Sequence, residues 1–333
     1  MQTFTAVNLN TDGDSAGGAN SAEVAAAATA FLATLDAALL AKVQYDFTAN
    51  QARQTWSNYP TSTVAREGVP LKDLSEAQQT AALAMLKVAL SDDGYQQVLD
   101  IRKADDYLNS LGGAGADGFG ALVDYNVAVF GKPSATTPFM VQFGGHHLAR
   151  NLTYNGDKVS QTPQFVGSEP ISFVIDGATV EPVKAESTAV FAMIAGLSAD
   201  QQSAAKLTSG TYDDLLMGPT HDDGEFPATE GLAVAELSAG EKDLVVAAMK
   251  AYVADLDDDA AAKSLAKYES ELGSTKIAWA NNTGPSDESS YIRIDGPSVW
   301  IEFINTRSRS TPDIHFHSVY RDKTNDYGST KPS

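Results

Sequence analysis

Two stretches near the C-terminus decide the fold: Tyr291-Ile-Arg-Ile-Asp-Gly-Pro-Ser-Val-Trp-Ile-Glu-Phe-Ile304 and Ile314-His-Phe-His-Ser-Val-Tyr320. β-branched and aromatic residues are frequent in both, and apolar and polar side chains alternate around His315-Phe-His317, which is typical of strands. Gly296-Pro297 interrupts the first stretch, and a polar connection at 305–313 precedes the second. Together with Lys276 to Ala280, they predict a group of neighbouring strands.

A second group of strands is predicted earlier in the chain. Phe139 to Thr153 alternates, and Tyr154-Asn-Gly-Asp157 carries the Asn-Gly signal of a tight hairpin. Lys158 to Phe165 would then be the returning strand, and Ile171 to Ile175 adds a further one.

Helices are predicted where apolar residues recur at helical spacing, as they do from Ser21 to Val43. Three later helix starts carry the same capping phrase, Leu74-Ser-Glu-Ala-Gln78, Leu197-Ser-Ala-Asp-Gln201 and Leu237-Ser-Ala-Gly-Glu241. In each phrase the serine can accept a bond from a free backbone amide, and the Gln or Glu three residues later can reach back. Further helices are expected at 92–110 and 186–196.

These patterns predict a single α+β domain over residues 21–333, with helices packed around a small, mainly antiparallel sheet. The helical part is expected at 21–130, and the strands mainly at 139–175 and 276–320. Residues 1–20 are rich in Gly, Asn, Asp and Ser, so we expect a flexible N-terminal arm.

Composition excludes several function classes. The formal charge of −20 disfavours binding to nucleic acid and to anionic membranes. The chain has no cysteine, so disulfides, iron–sulfur clusters and thiolate zinc sites are excluded. No apolar run is long enough for a membrane span, and residues 1–5 lack the features of a signal peptide. A cytoplasmic protein and an exported one without its signal both fit.

Histidine is rare in this chain and clustered. Four of the five histidines form two pairs, His146–His147 and His315–His317. In a strand, residues two apart point to the same face, about 6.5–7 Å apart, so His315 and His317 can reach one ion. Adjacent histidines in a strand point to opposite sides, but Gly144-Gly145 permits a bulge or a close backbone approach that re-aims one of them. We therefore predict one shared metal site.

Three other polar residues are candidates for catalysis. Glu302 lies on the strand next to His315 and His317, where it would be a fourth ligand, a general base or a partner that orients a ligating histidine. Arg293 or Arg321 would bind an anionic substrate group, although a structural salt bridge is the commoner role for such arginines. Standard signatures such as His-Glu-x-x-His and Gly-x-Ser-x-Gly are absent.

The ordered set of motifs resembles a bacterial family known as domain of unknown function 3500 (DUF3500), over nearly the whole chain. The resemblance rests on Thr55-Trp-Ser-Asn-Tyr-Pro60, Arg66-Glu-Gly-Val-Pro-Leu-Lys-Asp-Leu74, Phe130-Gly-Lys-Pro-Ser134, Gly145-His-His-Leu148, Tyr291-Ile-Arg-Ile-Asp-Gly-Pro297, Ile301-Glu-Phe303 and His315-Phe-His-Ser-Val-Tyr-Arg-Asp322. It implies export to the periplasm or outside the cell, and its pattern keeps both histidine pairs. The resemblance does not indicate which activity, if any, the protein has.

The histidine pattern therefore predicts a metalloprotein that binds one zinc or copper ion through His315, His317 and either His147 or His146. The resemblance implies that this protein is exported. Zinc would support metal-assisted hydrolysis, and copper would support redox chemistry. Two alternatives remain open at this point: a non-enzymatic module that binds metal or a small ligand, and structural histidines without metal. The sequence does not decide whether the protein is an enzyme.

Overall fold

A computed structural model describes residues 19–112, 118–222, 224–308 and 313–329, and it has an α+β fold. Most of the predicted arm, residues 1–18, lies outside these ranges. The α-helices within them are α1 (Ser21–Ala33), α2 (Ala37–Val43), α3 (Asn50–Arg53), α4 (Glu76–Ala89), α5 (Asp92–Leu111), α6 (Lys184–Ala195), α7 (Ala199–Ala205), α8 (Ala239–Val253) and α9 (Asp258–Ser270). Across the described ranges, no helix combines the length and the apolar character needed to cross a bilayer.

The strands are β1 (Gln44–Tyr45), β2 (Val69–Pro70), β3 (Tyr125–Phe130), β4 (Phe139–Gly145), β5 (Leu148–Asn155), β6 (Lys158–Ser160), β7 (Gln164–Ser168), β8 (Phe173–Ile175), β9 (Ala178–Val180), β10 (Leu232–Ala233), β11 (Lys276–Asn281), β12 (Ser290–Asp295), β13 (Val299–Arg307) and β14 (Ile314–Asp322). Twelve of them form one sheet in the order β1-β3-β4-β5-β7-β14-β13-β12-β11-β10, in which β2 also pairs with β3 and β6 with β5.

The sheet is larger than the small sheet that the sequence predicted, and it is mixed. β1 runs parallel to β3, whereas the other neighbouring strands pair antiparallel. The predicted helical region 21–130 also contains β1, β2 and β3, because short or fully buried strands give no alternating pattern. β8 pairs with β9 in a separate hairpin rather than joining the large sheet.

The capping phrases predicted their helices correctly. Ser75, Ser198 and Ser238 each accept a bond from the backbone amide three residues later, and the side chain of that later residue accepts a bond from the serine amide. Local capping chemistry survives in the fold because it satisfies amides that no helix can pair internally.

The pairing of β14 with β7 joins the two predicted groups of strands in one sheet. Its register places His317 opposite Gly167 and Phe316 opposite Ser168. β7 also pairs with β5, with Leu148 opposite Val166. The two histidine pairs, which are far apart in the chain, therefore lie on neighbouring parts of one sheet.

Alternation along the central strands separates a helix-covered face from a polar one. On the first face Phe303 packs against Phe191 of α6, and Ser318 bonds Tyr252 of α8. On the second face lie His315 and His317, which are also buried. Irregular segments around 46–68 and 207–231 cover this second face, since Trp56, Met217 and Phe226 pack there with Trp300.

A buried polar network lies under the helix-covered face. The Arg150 guanidinium donates to Asp255 at 2.6 Å and to Gln97 at 2.5 Å, and Gln97 donates to Glu186 at 2.6 Å. Burial, reinforced by the charge of Asp255, raises the pKa of Glu186 to about 7. Arg150 thus pairs directly with Asp255 and reaches Glu186 only through Gln97. Without a direct cationic partner, the buried Glu186 favours its protonated form.

Glu186→Gln should stabilise the protein at pH 8 but have little effect at pH 5. A carboxyl group with a raised folded-state pKa contributes stability below its unfolded value, and that contribution is lost as the pH rises through about 7. Glutamine never ionises, so the variant should be more stable at pH 8 by about 1–3 kcal/mol. Urea unfolding at both pH values measures this. The exposed Glu236→Gln is the control, and an equal effect of Glu186→Gln at both pH values would refute the assignment.

Candidate metal centre

Three imidazoles meet at one point on the polar face of the sheet. His317 Nε2 lies 3.0 Å from His315 Nε2 and 3.2 Å from His147 Nε2. All three residues are buried, and one ring nitrogen from each lies within 4.8 Å of the others. We call this set the histidine trio. His315 and His317 meet because they alternate on β14, as the sequence predicted.

His147 joins the trio through a turn, and the expectation of a continuous strand from Phe139 to Thr153 is wrong. β4 ends at Gly145 and β5 begins at Leu148, so the adjacent histidines form the two-residue turn of a hairpin. His147 has a φ of 57°, a left-handed conformation that few residues with side chains adopt. The turn re-aims its ring, which a regular strand would have pointed away from the site.

Two glycines make room for this turn. A Cβ on Gly145 would lie 1.7 Å from the carbonyl oxygen of Asp124, so β4 approaches that backbone more closely than any other residue allows. A Cβ on Gly167 would lie 2.4 Å from the carbonyl oxygen of Phe316 and 3.2 Å from Cδ2 of His147. The predicted close approach at the glycine pair is confirmed, whereas the role of Gly167 was missed.

Two of the trio histidines have further polar partners. His317 Nδ1 lies 2.9 Å from Asp214 Oδ1. The Thr306 hydroxyl oxygen lies 2.9 Å from His315 Nε2 and 3.2 Å from His315 Nδ1, so it does not select one of these two nitrogens. The hydrogen bond and the charge of His317 outweigh burial and lower the pKa of Asp214. An ionised Asp214 holds the proton of His317 on Nδ1, which leaves a lone pair on Nε2.

His147 is the least solvated member of the trio. Burial, followed by the positive charge of the neighbouring histidines, lowers its pKa well below the ordinary value. The ring is therefore neutral at pH 7 and can offer a lone pair to a metal. Its Nδ1 atom is buried and has no hydrogen-bond partner.

His146 stacks on His147 but belongs to a different set of contacts. The two ring centroids are 3.8 Å apart. His146 Nδ1 lies 2.7 Å from Asp105 Oδ1, and the Tyr125 hydroxyl donates to the other oxygen of Asp105 at 2.8 Å. Burial disfavours the charged ring, but Asp105 outweighs burial and raises the pKa of His146. The structure therefore brings three of the four predicted ligands together and places the fourth beside them.

The trio opens into a cavity of about 750 Å³. Among the residues that the structure describes, its lining has four carboxylates, from Glu169, Asp213, Asp214 and Glu288, and one arginine, Arg307. Such a wall concentrates cations and repels anions. The cavity also has an aromatic side, formed by Tyr59 and Phe119.

Glu302 has a different place from the predicted one, and it is not among the residues that line this cavity. Its carboxylate is fully buried and accepts four bonds of 2.7–2.8 Å, from the backbone amides of Leu216 and Met217, the Tyr291 hydroxyl and the Trp300 indole. Glu302 thereby fastens residues 213–222, which we call the strap, and the strap carries Asp214 to His317.

The two predicted arginines also lie away from the cavity. Arg321 donates to Asp222 at 2.6 Å and Asp326 at 2.8 Å, and to the carbonyl oxygen of His221 at 2.7 Å, so it holds the far end of the strap. This matches the structural salt bridge considered as its alternative role. Arg293 is buried with its guanidinium 5.0 Å from the centre of the Trp300 ring.

Sequence reasoning missed several residues that lie next to the trio or to the neighbouring His146. Thr306 faces His315 directly across the β13–β14 ladder, but it fell in a segment predicted as a connection. Asp214, Asp105 and Glu169 come from irregular or helical segments far away in the chain. No local pattern marks them, because their role exists only once the sheet is assembled.

The fold and the site thus define an α+β protein with a buried histidine cluster that faces an acidic cavity. The family model described as "Protein of unknown function (DUF3500)" matches residues 17–329, nearly the whole chain, and the protein belongs to this family. The resemblance found from the motifs is confirmed. No curated protein and no solved structure matches the chain.

Glu302→Gln should loosen the strap. A glutamine side chain can accept from only one of the two donor pairs, and each unsatisfied buried donor costs about 1–3 kcal/mol. We expect lower stability and faster hydrogen–deuterium exchange at the amides of Leu216 and Met217, measured by mass spectrometry of peptides from this segment. Glu288→Gln, on the cavity wall, is the control. Unchanged exchange in Glu302→Gln would show that the strap is held by other contacts.

Proposed function

We propose that this protein binds a transition-metal ion through His147, His315 and His317 and exposes that ion to the acidic cavity. The observation that carries the proposal is the convergence of three Nε2 atoms. Nitrogen ligands lie about 2.0–2.1 Å from zinc, so they lie about 3.4 Å apart in a tetrahedral set and about 2.9 Å apart at right angles. The two measured separations, 3.0 and 3.2 Å, fall within this range.

The surroundings of the trio support the same reading. Metal-binding histidines commonly carry a carboxylate or another oxygen on the second ring nitrogen, as His317 does with Asp214. Burial keeps His147 neutral, which is the form that ligates. Hydrogen bonds between the rings alone would be the alternative, and metal analysis separates the two.

Three protein ligands leave at least one position open, and this favours a catalytic ion over a purely structural one. Zinc is the default, and copper suits the same nitrogen donors. A zinc ion would lower the pKa of a bound water and supply hydroxide for hydrolysis. Because the cavity is acidic, a neutral or cationic substrate fits it better than the anionic one first considered. In this proposal Glu302 and Arg321 do not contact the substrate, and they position the strap instead.

Two further statements belong to this proposal. The resemblance to a family whose members are usually exported supports a secreted or periplasmic location.

A non-enzymatic role as a metal-binding module is the second candidate, and the carboxylates on the cavity wall favour it because they attract cations whether or not a reaction follows.

Purified without a nickel column and loaded with zinc, the wild-type protein should retain metal after dialysis, and the double variant His315→Ala/His317→Ala should lose the metal held by the trio. Elemental analysis measures the retained zinc, and circular dichroism verifies folding. The control is His221→Ala, since His221 is exposed on the strap. No metal in the folded wild-type protein would favour structural histidines and refute the proposal.

Asp214→Asn should weaken zinc binding without abolishing it. An amide can still accept a bond from His317 but carries no charge to make the ring a better ligand, and such changes typically reduce metal affinity by about 10–100-fold. Competition with a chromophoric chelator measures the affinity. Asp213→Asn changes the neighbouring exposed carboxylate and serves as the matched control. Equal affinities for the two variants would mean that Asp214 acts only through the general field.

A further inference from the structure

Beside the trio, His146 and Glu169 face each other without a hydrogen bond. His146 Nε2 lies 4.0 Å from Glu169 Oε2, and the two side chains are only about 5% and 6% exposed. This separation is too long for a hydrogen bond. Ligands of a tetrahedral zinc ion lie about 3.4 Å apart, so the two side chains would have to approach each other by about 0.6 Å around an ion.

His146 and Glu169 each have a hydrogen-bond partner on the atom that points away from the other group. Asp105 accepts from His146 Nδ1, so Nε2 is the nitrogen that faces Glu169, and it can bind a metal ion once the ring has lost its second proton. The Ser308 hydroxyl donates to Glu169 Oε1, and within the described part of the chain Oε2 has no hydrogen-bond donor. This arrangement of carboxylate, histidine and open nitrogen repeats the one that Asp214 gives His317.

A third donor stands next to them. One nitrogen of His147 lies within 4.8 Å of the ligand atoms of His146 and Glu169. The trio accounts for Nε2 of His147, whereas its Nδ1 is buried without any partner. A buried nitrogen that nothing satisfies is costly. When Nε2 of His147 binds the first ion, Nδ1 carries the ring proton, so an ion at Nδ1 would bind with loss of that proton to solvent and with the ring as a bridging imidazolate.

We propose a second metal-binding position, formed by His146 and Glu169 with His147 between it and the trio. The inference rests on the proposed function, because it makes the trio one half of a two-metal centre. Glu169 supplies the anionic ligand that the trio lacks, and both positions face the same cavity. Two neighbouring ions can hold the two ends of one substrate group, as in two-metal hydrolytic sites.

The test is the stoichiometry of zinc binding to the full-length protein, titrated with zinc chloride and measured by elemental analysis after dialysis. Wild type should retain two equivalents, Glu169→Gln one, and His315→Ala/His317→Ala one. Glu288→Gln, another carboxylate on the same wall, should retain two. His146→Gln provides a second variant of the new position, and thermal unfolding of the metal-free forms verifies folding.

The outcomes separate the two proposals. One equivalent in wild type that persists in Glu169→Gln and is lost in His315→Ala/His317→Ala refutes the second position and leaves the trio site intact. One equivalent with the reverse pattern refutes the trio site and keeps the position at His146 and Glu169. No retained zinc in the folded wild-type protein refutes both.

Discussion

The antiparallel pairing of β14 with β7 is the interaction on which the rest of the structure depends. It places His317 opposite Gly167, in a sheet whose next strand, β5, begins just after His147. Backbone hydrogen bonds fix this register, and a slip of one residue would turn both histidines of β14 to the helix-covered face. This register requires a glycine at position 167, because a side chain there would contact the His147 ring.

The two faces of the sheet carry different groups: the large apolar core lies on one face, and the histidine trio lies on the other. Helices α6, α8 and α9 cover one face and form the large apolar core with it. On the other face irregular segments carry polar groups, and buried side chains secure them. Glu302 holds the middle of the strap and Arg321 chiefly its far end, through five hydrogen bonds of 2.6–3.2 Å. A rigid strap is what lets a loop residue, Asp214, orient His317.

The strongest local signals in the sequence were reliable. The three serine capping boxes, the Asn155-Gly156 hairpin and the alternation of β14 depend on neighbours within a few residues, so they read directly as structure. The sheet was underestimated, because β1, β2 and β10 are only two residues long and β3 is buried on both sides. Such strands exist through their partners and leave no periodic pattern of their own.

The sequence by itself determined which residues are available for a site: five histidines, no cysteine and an alternating His-x-His strand. It also indicated that His146 or His147 would meet that strand. Only the tertiary structure decided that His147 is the one, that Asp214 and Asp105 orient the rings, and that Glu302 and Arg321 serve the strap. The reason is physical: these relations join atoms about 40 to 170 residues apart in the chain, and the strand register and turn geometry that bring such atoms together are set by the packing of the whole sheet.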